Sequence, residues 1–314
     1  MNVKTKGYIC GAIAAATYGM NPLFALPLYS DGMNPDSVLF FRYLFAIPML
    51  GFMLKTRGRS FKVTRKETLE LIIFGLLFSL SSLTLFQRYN YIVAGIASTL
   101  LFVYPILVAL IMVFVFKEKI TLQTIICIVM AIGGIGMLFK SSNGTTLNLT
   151  GVMLVFISAL SYATYIVGIN QSALKNVATL KVTFYVLLYG TSLYVMRLLM
   201  NDNLVMPTQW YLWFNLIALA LFPTAISLLC TTSAILYIGS TPTAILGALE
   251  PVTAVFIGVT LFDEIIGMRE CIGLLLIIMA VTTIVAGGKI TSQLLRLRKL
   301  FPRLPLKRKE TNKK

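Results

Sequence analysis

The chain has 314 residues, 58% of them hydrophobic and only 12% charged, with a mean hydropathy of +0.86. A soluble domain carries about 45–50% apolar and about 25% charged residues, so this chain has too little polar residue to cover a water-facing surface, and most of it is solvated by lipid. The net charge of +16 does not point to nucleic acid, because ten of the 27 Lys and Arg lie from Lys289 onward and six between Lys55 and Lys66, flanking apolar runs as inside-facing membrane loops do.

In chain order, Met1–Lys6 and the apolar run that follows look at first like a signal peptide. The run reaches Leu28, longer than an h-region of about 7–15 residues, and reads as a retained first helix. A helix needs about 20 apolar residues to cross the hydrocarbon layer. Cutting at charges, Gly/Pro clusters and polar turns predicts ten spans: 7–29, 36–54, 69–88, 91–116, 120–139, 149–170, 180–199, 210–232, 238–261 and 268–288. The eighth and ninth are separated at GSTPT, Gly239–Thr243, because the uncharged run there is too long for one helix. Backbone groups cannot stay unpaired in lipid and no barrel-like alternation is present, so the expected class is an all-α polytopic membrane protein. Gly133, Gly134 and Gly136 are expected to let helices approach closely.

With residue 1 inside, the inner connections hold 22 Lys and Arg and the outer ones four, Arg88, Lys140, Arg197 and Arg269. That asymmetry puts both termini in the cytoplasm. The basic tail, 289–314, can also rest on anionic lipid headgroups.

An internal repeat organises the rest. Tyr91–Ile120 aligns with Tyr237–Ile266 without a gap at an offset of 146, with nine of 30 positions identical. Tyr91/Tyr237, Pro105/Pro251, Phe116/Phe262 and Glu118/Glu264 are among them. Apolar composition would match many Leu and Ile, but not a proline and a glutamate at the same separation twice. An offset of 144 lays Gly7, Ala15 and Tyr18 over Gly151, Ala159 and Tyr162. The expected organisation is a five-helix repeat over 1–140, a second over 141–288 and the tail. Five is odd, so the second repeat is inserted upside down. Inverted repeats characterise alternating-access transporters, whose substrate site lies near the midplane between the halves.

Together, TYGMN near the start, FFRYLFAIP, RYNYIVAGIASTLLFVYPILVALI before FKEKI, and ILYIGSTPTAILGALEPVTAVFIG before FDEI resemble the EamA-like family of the drug/metabolite transporter superfamily. The resemblance covers about residues 7–288. It implies ten helices, a proline in the middle of the fourth helix of each half (Pro105, Pro251), and a glutamate closing it (Glu118, Glu264). Arg42 matches the family's second-helix arginine. The resemblance also implies a carrier of small metabolites in a bacterial inner membrane, with no cofactor. One departure is that Glu118 is flanked by lysines, whereas Glu264 follows Asp263.

Glu250 is the one charged residue between Asp202 and Asp263, and it falls near the middle of its span. An ionised group at a helix centre costs roughly 2.5–3.5 kcal/mol on insertion scales. Glu250 therefore faces the bundle interior, is protonated or has a cationic partner. It reads either as a carboxylate that binds protons or a substrate amine, or as a packing acid bonded to its own turn, which Pro251 loosens. Arg42 reads either as an anion-binding group or as a side chain snorkelling toward Asp36. If both face one cavity, they can hold the two ends of a zwitterion such as an amino acid. Tyr18, Asn21, Tyr89, Tyr104, Tyr162 and Tyr165 are further candidate pocket residues; for the tyrosines, interface anchoring or packing is the alternative. Tyr104 is the repeat mate of Glu250, and Tyr18 that of Tyr162. Glu118 and Glu264 read as turn-fixing residues rather than transport groups.

The chain contains no histidine, which excludes HExxH zinc sites, Ser-His-Asp hydrolysis and His proton relays. Cys10, Cys127, Cys230 and Cys271 lack CxxC spacing and read as buried thiols, so no disulfide framework and no metal site are expected. A lone deep acid does not make an intramembrane protease. No Walker or phosphorylated-Asp motif is present. The expected function is secondary transport of a small polar metabolite with protons as the candidate coupling ion; the alternative is a flippase for lipid or lipid-linked sugar.

Overall fold

Proline, asparagine and basic residues punctuate the apolar runs, and between them the chain coils into helices. The computed structural model describes residues 2–87, 101, 103–138, 149–200, 204–262, 267–269 and 271–283. In order the helices are α1 (Val3–Gly19), α2 (Asn21–Ser30), α3 (Pro35–Thr56), α4 (Arg65–Gln87), α5 (Tyr104–Phe114), α6 (Leu122–Leu138), α7 (Leu149–Gln171) and α8 (Thr179–Met200). They continue as α9 (Leu212–Leu219), a π-helical segment (Ala220–Ile226), α10 (Ser227–Ile238), α11 (Ser240–Leu246), α12 (Leu249–Phe262) and α13 (Cys271–Thr283). No strand occurs among the described residues.

Local chemistry explains the ends. Asn34 accepts from the Ser37 N–H at 2.8 Å and Pro35 opens α3, the arrangement that satisfies a helix start. Thr64 and Glu67 form a reciprocal capping box before α4, at 2.8 and 3.3 Å.

Six stretches among the described residues are long and apolar enough to cross a membrane: Val3–Ser30, Pro35–Thr56, Arg65–Gln87, Met153–Gln171, Thr179–Met200 and Leu212–Ile238. They fall on six of the ten expected spans. The others are represented by the shorter apolar helices α5, α6 and α13 and by the interrupted pair α11–α12. The turn expected over Gly239–Thr243 shrinks to one residue: α10 runs on to Ile238, Gly239 turns the chain at φ 90°, and α11 starts at Ser240. The expected span 238–261 is itself two helices, split at Gly247–Ala248, because Pro251 has no N–H to continue the ladder.

Packing follows an exchange rule between the two repeats. α1 lies along α10 and α12, and its repeat counterpart α7 lies along α4 and α5. The same paired positions are bonded in both halves, with donor and acceptor exchanged. Ser227 donates to the Ala14 carbonyl at 2.9 Å, and Ser158 donates to the Ser81 carbonyl at 2.8 Å. The offsets of 144 and 146 carry Ala14 to Ser158 and Ser81 to Ser227. α4 and α8 cross at Gly75 and Gly190: a Cβ on Gly75 would lie 2.8 Å from the Val186 carbonyl oxygen and 3.2 Å from the Gly190 nitrogen. Of the three glycines expected to allow close approach in α6, Gly134 does so, a Cβ there lying 2.6 Å from the Gly273 carbonyl oxygen, whereas a Cβ added at Gly133 or Gly136 meets nothing within 4 Å among the described residues.

One face of the bundle is clasped by polar residues. Arg197 holds Asp36 through two bonds of 2.8 and 3.1 Å, and the Val205 N–H donates to Ser37 at 2.9 Å. Hydrogen bonds from the Thr208 hydroxyl and its N–H hold the Asp31 carboxyl below its ordinary value of 3.8. A depressed carboxyl contributes stability above its unfolded value and loses it as pH falls through the folded one. Thr208→Val is therefore expected to move the Asp31 midpoint up toward 3.8, read by carboxyl NMR. Gly190→Leu is expected to destabilise the protein by about 1–3 kcal/mol through overpacking at the α4–α8 crossing, read by unfolding in bicelles.

Candidate functional site

Helix interruptions gather where the two repeats meet. The α11–α12 interruption begins with a displaced bond: the Ala248 N–H, which an unbroken helix would give to Ala244, goes to the Ile245 carbonyl at 3.0 Å. The released Ala244 carbonyl is captured by the Tyr104 hydroxyl at 3.0 Å. Gly247 makes room for that hydroxyl, since a methyl group there would collide with it. Glu250 and Pro251 stand in the first turn of α12, and Tyr104 and Pro105 in that of α5. Each proline thus opens a helix rather than kinking one, as the missing N–H favours at a first turn. Glu250 stands at the N-terminal end of α12.

Around this break lies a cavity of about 30 Å³, lined by α1 (Gly11, Ala14, Ala15, Tyr18), α5 (Tyr104), α7 (Tyr162, Ile166), α10 (Ser227, Thr231), α11 (Thr243), Gly247 and Glu250. It accommodates ordered water but no metabolite. Both repeat-mate pairs, Tyr18 with Tyr162 and Tyr104 with Glu250, line this one space. Tyr104 and Tyr162 meet edge to face at 5.1 Å. Tyr165, fully buried, stacks on Tyr162 at 6.1 Å with its hydroxyl 3.5 Å from Thr232, and stands behind the wall. Gly19 brings α1 against the Glu250 backbone: a Cβ there would lie 2.6 Å from the Glu250 carbonyl oxygen.

Arg42 does not snorkel. It is 1% exposed, and Asp36, its expected outer neighbour, is held by Arg197 instead. The Arg42 Nε donates to the Thr224 hydroxyl and Nη2 to the Pro223 carbonyl at 3.0 Å, both in the π-helical segment. Pro223 cannot join an α ladder, and the widened turn it leaves presents its carbonyl to Arg42. The guanidinium lies over the Tyr18 ring at 5.7 Å. Arg42 is thus absent from the cavity wall that Glu250 lines, and Tyr18 belongs to both neighbourhoods.

Asn21 opens α2 just past the interruption at Met20; its Oδ1 is enclosed and has no hydrogen-bond partner among the described residues, and it does not line the cavity. Glu118 is exposed, and its backbone N–H closes the end of α5 on the Met112 carbonyl at 3.0 Å, beside Lys117 at φ 53°. Its side chain edges a separate hollow of about 220 Å³ with Lys119, Asn170 and Ser240. Tyr89 and Glu264 lie outside the described residues. Sequence reasoning missed Thr224, Ser227 and Thr231, although their spacing of three and then four residues places them on one helix face.

A family model described as EamA-like transporter family matches the chain twice, over residues 5–140 and 149–286. Comparison with curated proteins returns no match. Among solved structures 29 chains match; one crystal structure superimposes over 95% of this chain and 99% of its own, with a TM-score of 0.75 and 17% sequence identity, a likeness of fold. Tyr104→Phe is expected to leave the Ala244 carbonyl without its partner and to cost about 1–3 kcal/mol of stability, measured by unfolding in bicelles.

Proposed function

We propose, from the premise that the chain belongs to the EamA-like transporter family, that it is a secondary transporter carrying a small polar metabolite, such as an amino acid, by alternating access. Members of this family are membrane permeases of the drug/metabolite transporter superfamily rather than enzymes, and the chain is an integral membrane protein. In this reading the repeats 1–140 and 141–288 insert in opposite orientations. Both termini face the cytoplasm of a bacterial cell, with the chain in its inner membrane.

The observation that carries the proposal is the shared wall. Two residues from each repeat, related by the repeat offsets, line one cavity at a helix interruption. Such a seam lets one repeat rock against the other around a fixed site. With about 30 Å³ inside, this conformation is closed around the site, so loading requires the seam to part. Glu250 then binds a proton or the amine of the substrate.

Reconstitution in proteoliposomes separates the possible substrates. Labelled amino acids supplied against a proton gradient are expected to accumulate, and Glu250→Gln is expected to slow that flux by about tenfold or more, the range in which removal of one partner of a hydrogen-bonded charge pair falls. Movement of fluorescent lipid with no movement of any soluble solute would replace this reading with a flippase. Gradient-driven flux unchanged in Glu250→Gln would remove the acid from the mechanism.

A further inference from the structure

Arg42 is sealed in the interior of the bundle, and no carboxylate is paired with it among the described residues. Its Nε and Nη2 are met by neutral acceptors, a hydroxyl and a backbone carbonyl, and its Nη1 has no hydrogen-bond partner among the described residues. Such a cation is costly to keep, because a guanidinium cannot shed its proton to escape burial. The π-helical segment holds it in place on one side, and the Tyr18 ring covers it on another, 5.7 Å away. That ring is part of the cavity wall.

The cavity must enlarge before any metabolite fits, and its lining limits how. Gly11, Ala14, Ala15 and Gly247 have no bulk to withdraw. Tyr104 is fastened to the Ala244 carbonyl, and Tyr162 is wedged between Tyr104 and Tyr165. Tyr18 differs in its backbone: it stands two residues before the α1–α2 interruption at Met20, beside Gly19.

We propose that Tyr18 is a shutter over Arg42, and that its displacement turns the guanidinium into the anion subsite of the central cavity. The group received there is a carboxylate or an anion of similar size and shape, with the polar remainder of the substrate facing Glu250. The unpartnered Nη1 supplies two N–H donors for it, and an Arg–carboxylate bond replaces the weaker attraction of the aromatic face. The inference rests on the transporter reading for its biological meaning, yet its test is a binding measurement, independent of flux.

The test uses the full chain in nanodiscs, with acetate, glycine and methylammonium as probes, chloride as the ionic-strength control, and the thermal unfolding midpoint as readout. Acetate and glycine are expected to raise the midpoint of the wild type, and Arg42→Gln is expected to abolish both shifts. Tyr18→Ala, which leaves Arg42 intact, is expected to lower the acetate concentration for the half-maximal shift by roughly tenfold, because the binding-competent state no longer has to be reached by moving the ring. An acetate shift that persists in Arg42→Gln overturns the proposal, and so does a Tyr18→Ala protein indifferent to acetate. If Arg42→Gln does not fold, the Tyr18→Ala arm decides alone. A protein that shows these shifts but moves no solute would sustain the subsite and sink the transporter reading.

Discussion

In the hydrocarbon layer no water is available to satisfy a backbone group, so each place where a helix lets go of its own ladder must be met by another part of the protein. This constraint organises the centre of the molecule. The carbonyl released at Ala244 is met by Tyr104, and the carbonyl presented by the wide turn at Pro223 is met by Arg42. The Ala14 carbonyl, on the same cavity wall, takes a further bond from Ser227. Each of these contacts joins residues from different repeats. The interruptions therefore double as connections, and they leave polar atoms concentrated along one internal seam.

The seam explains how an oily chain keeps its lone acid between Asp202 and Asp263. Glu250 is placed by three local facts: a proline after it, a helix that begins beside it, and a glycine on α1 that brings its backbone close to a neighbour. Its side chain lines the small cavity together with Tyr18, Tyr104, Ser227 and Thr231. Its repeat mate, Tyr104, plays a different part from the equivalent position by binding backbone. Duplication supplied the geometry, and divergence at one position made one half a clamp and the other a charge.

Much of this was legible in the chain itself. A charge surrounded by apolar residues has few places to go, so burial cost narrowed Glu250 to facing the interior, being protonated or having a cationic partner. The repeat offsets put Tyr18, Tyr162 and Tyr104 at matching depths, because duplicated helices keep their registers. Arg42 was legible only as a cation within a span, either binding an anion or snorkelling toward Asp36, and not as to its partners. Its acceptors lie about 180 residues away on a π-helical turn, and no local pattern announces that a proline will widen a turn rather than end a helix. The α10–α11 boundary was misplaced for a related reason: Ser and Thr read as turn residues, yet in lipid they return their hydroxyls to the preceding turn, as Thr243 does to Gly239 at 2.7 Å. A single glycine then suffices to reverse the chain.

The fastening of α8 has a consequence for how such a molecule can move. Toward its end Arg197 grips Asp36, while near its start Lys181 and Tyr185 reach the carbonyls of Lys62 and Phe61 at 2.8 and 2.7 Å. α8 is thus tied at one end to α3 and at the other to the connection between α3 and α4. By these bonds and by its packing along α3 and α4, α8 is joined chiefly to helices of the other repeat, as α1 is to α10 and α12. Each repeat is thus held partly through helices of the other, so the rocking proposed for the two repeats has to carry or break these shared contacts.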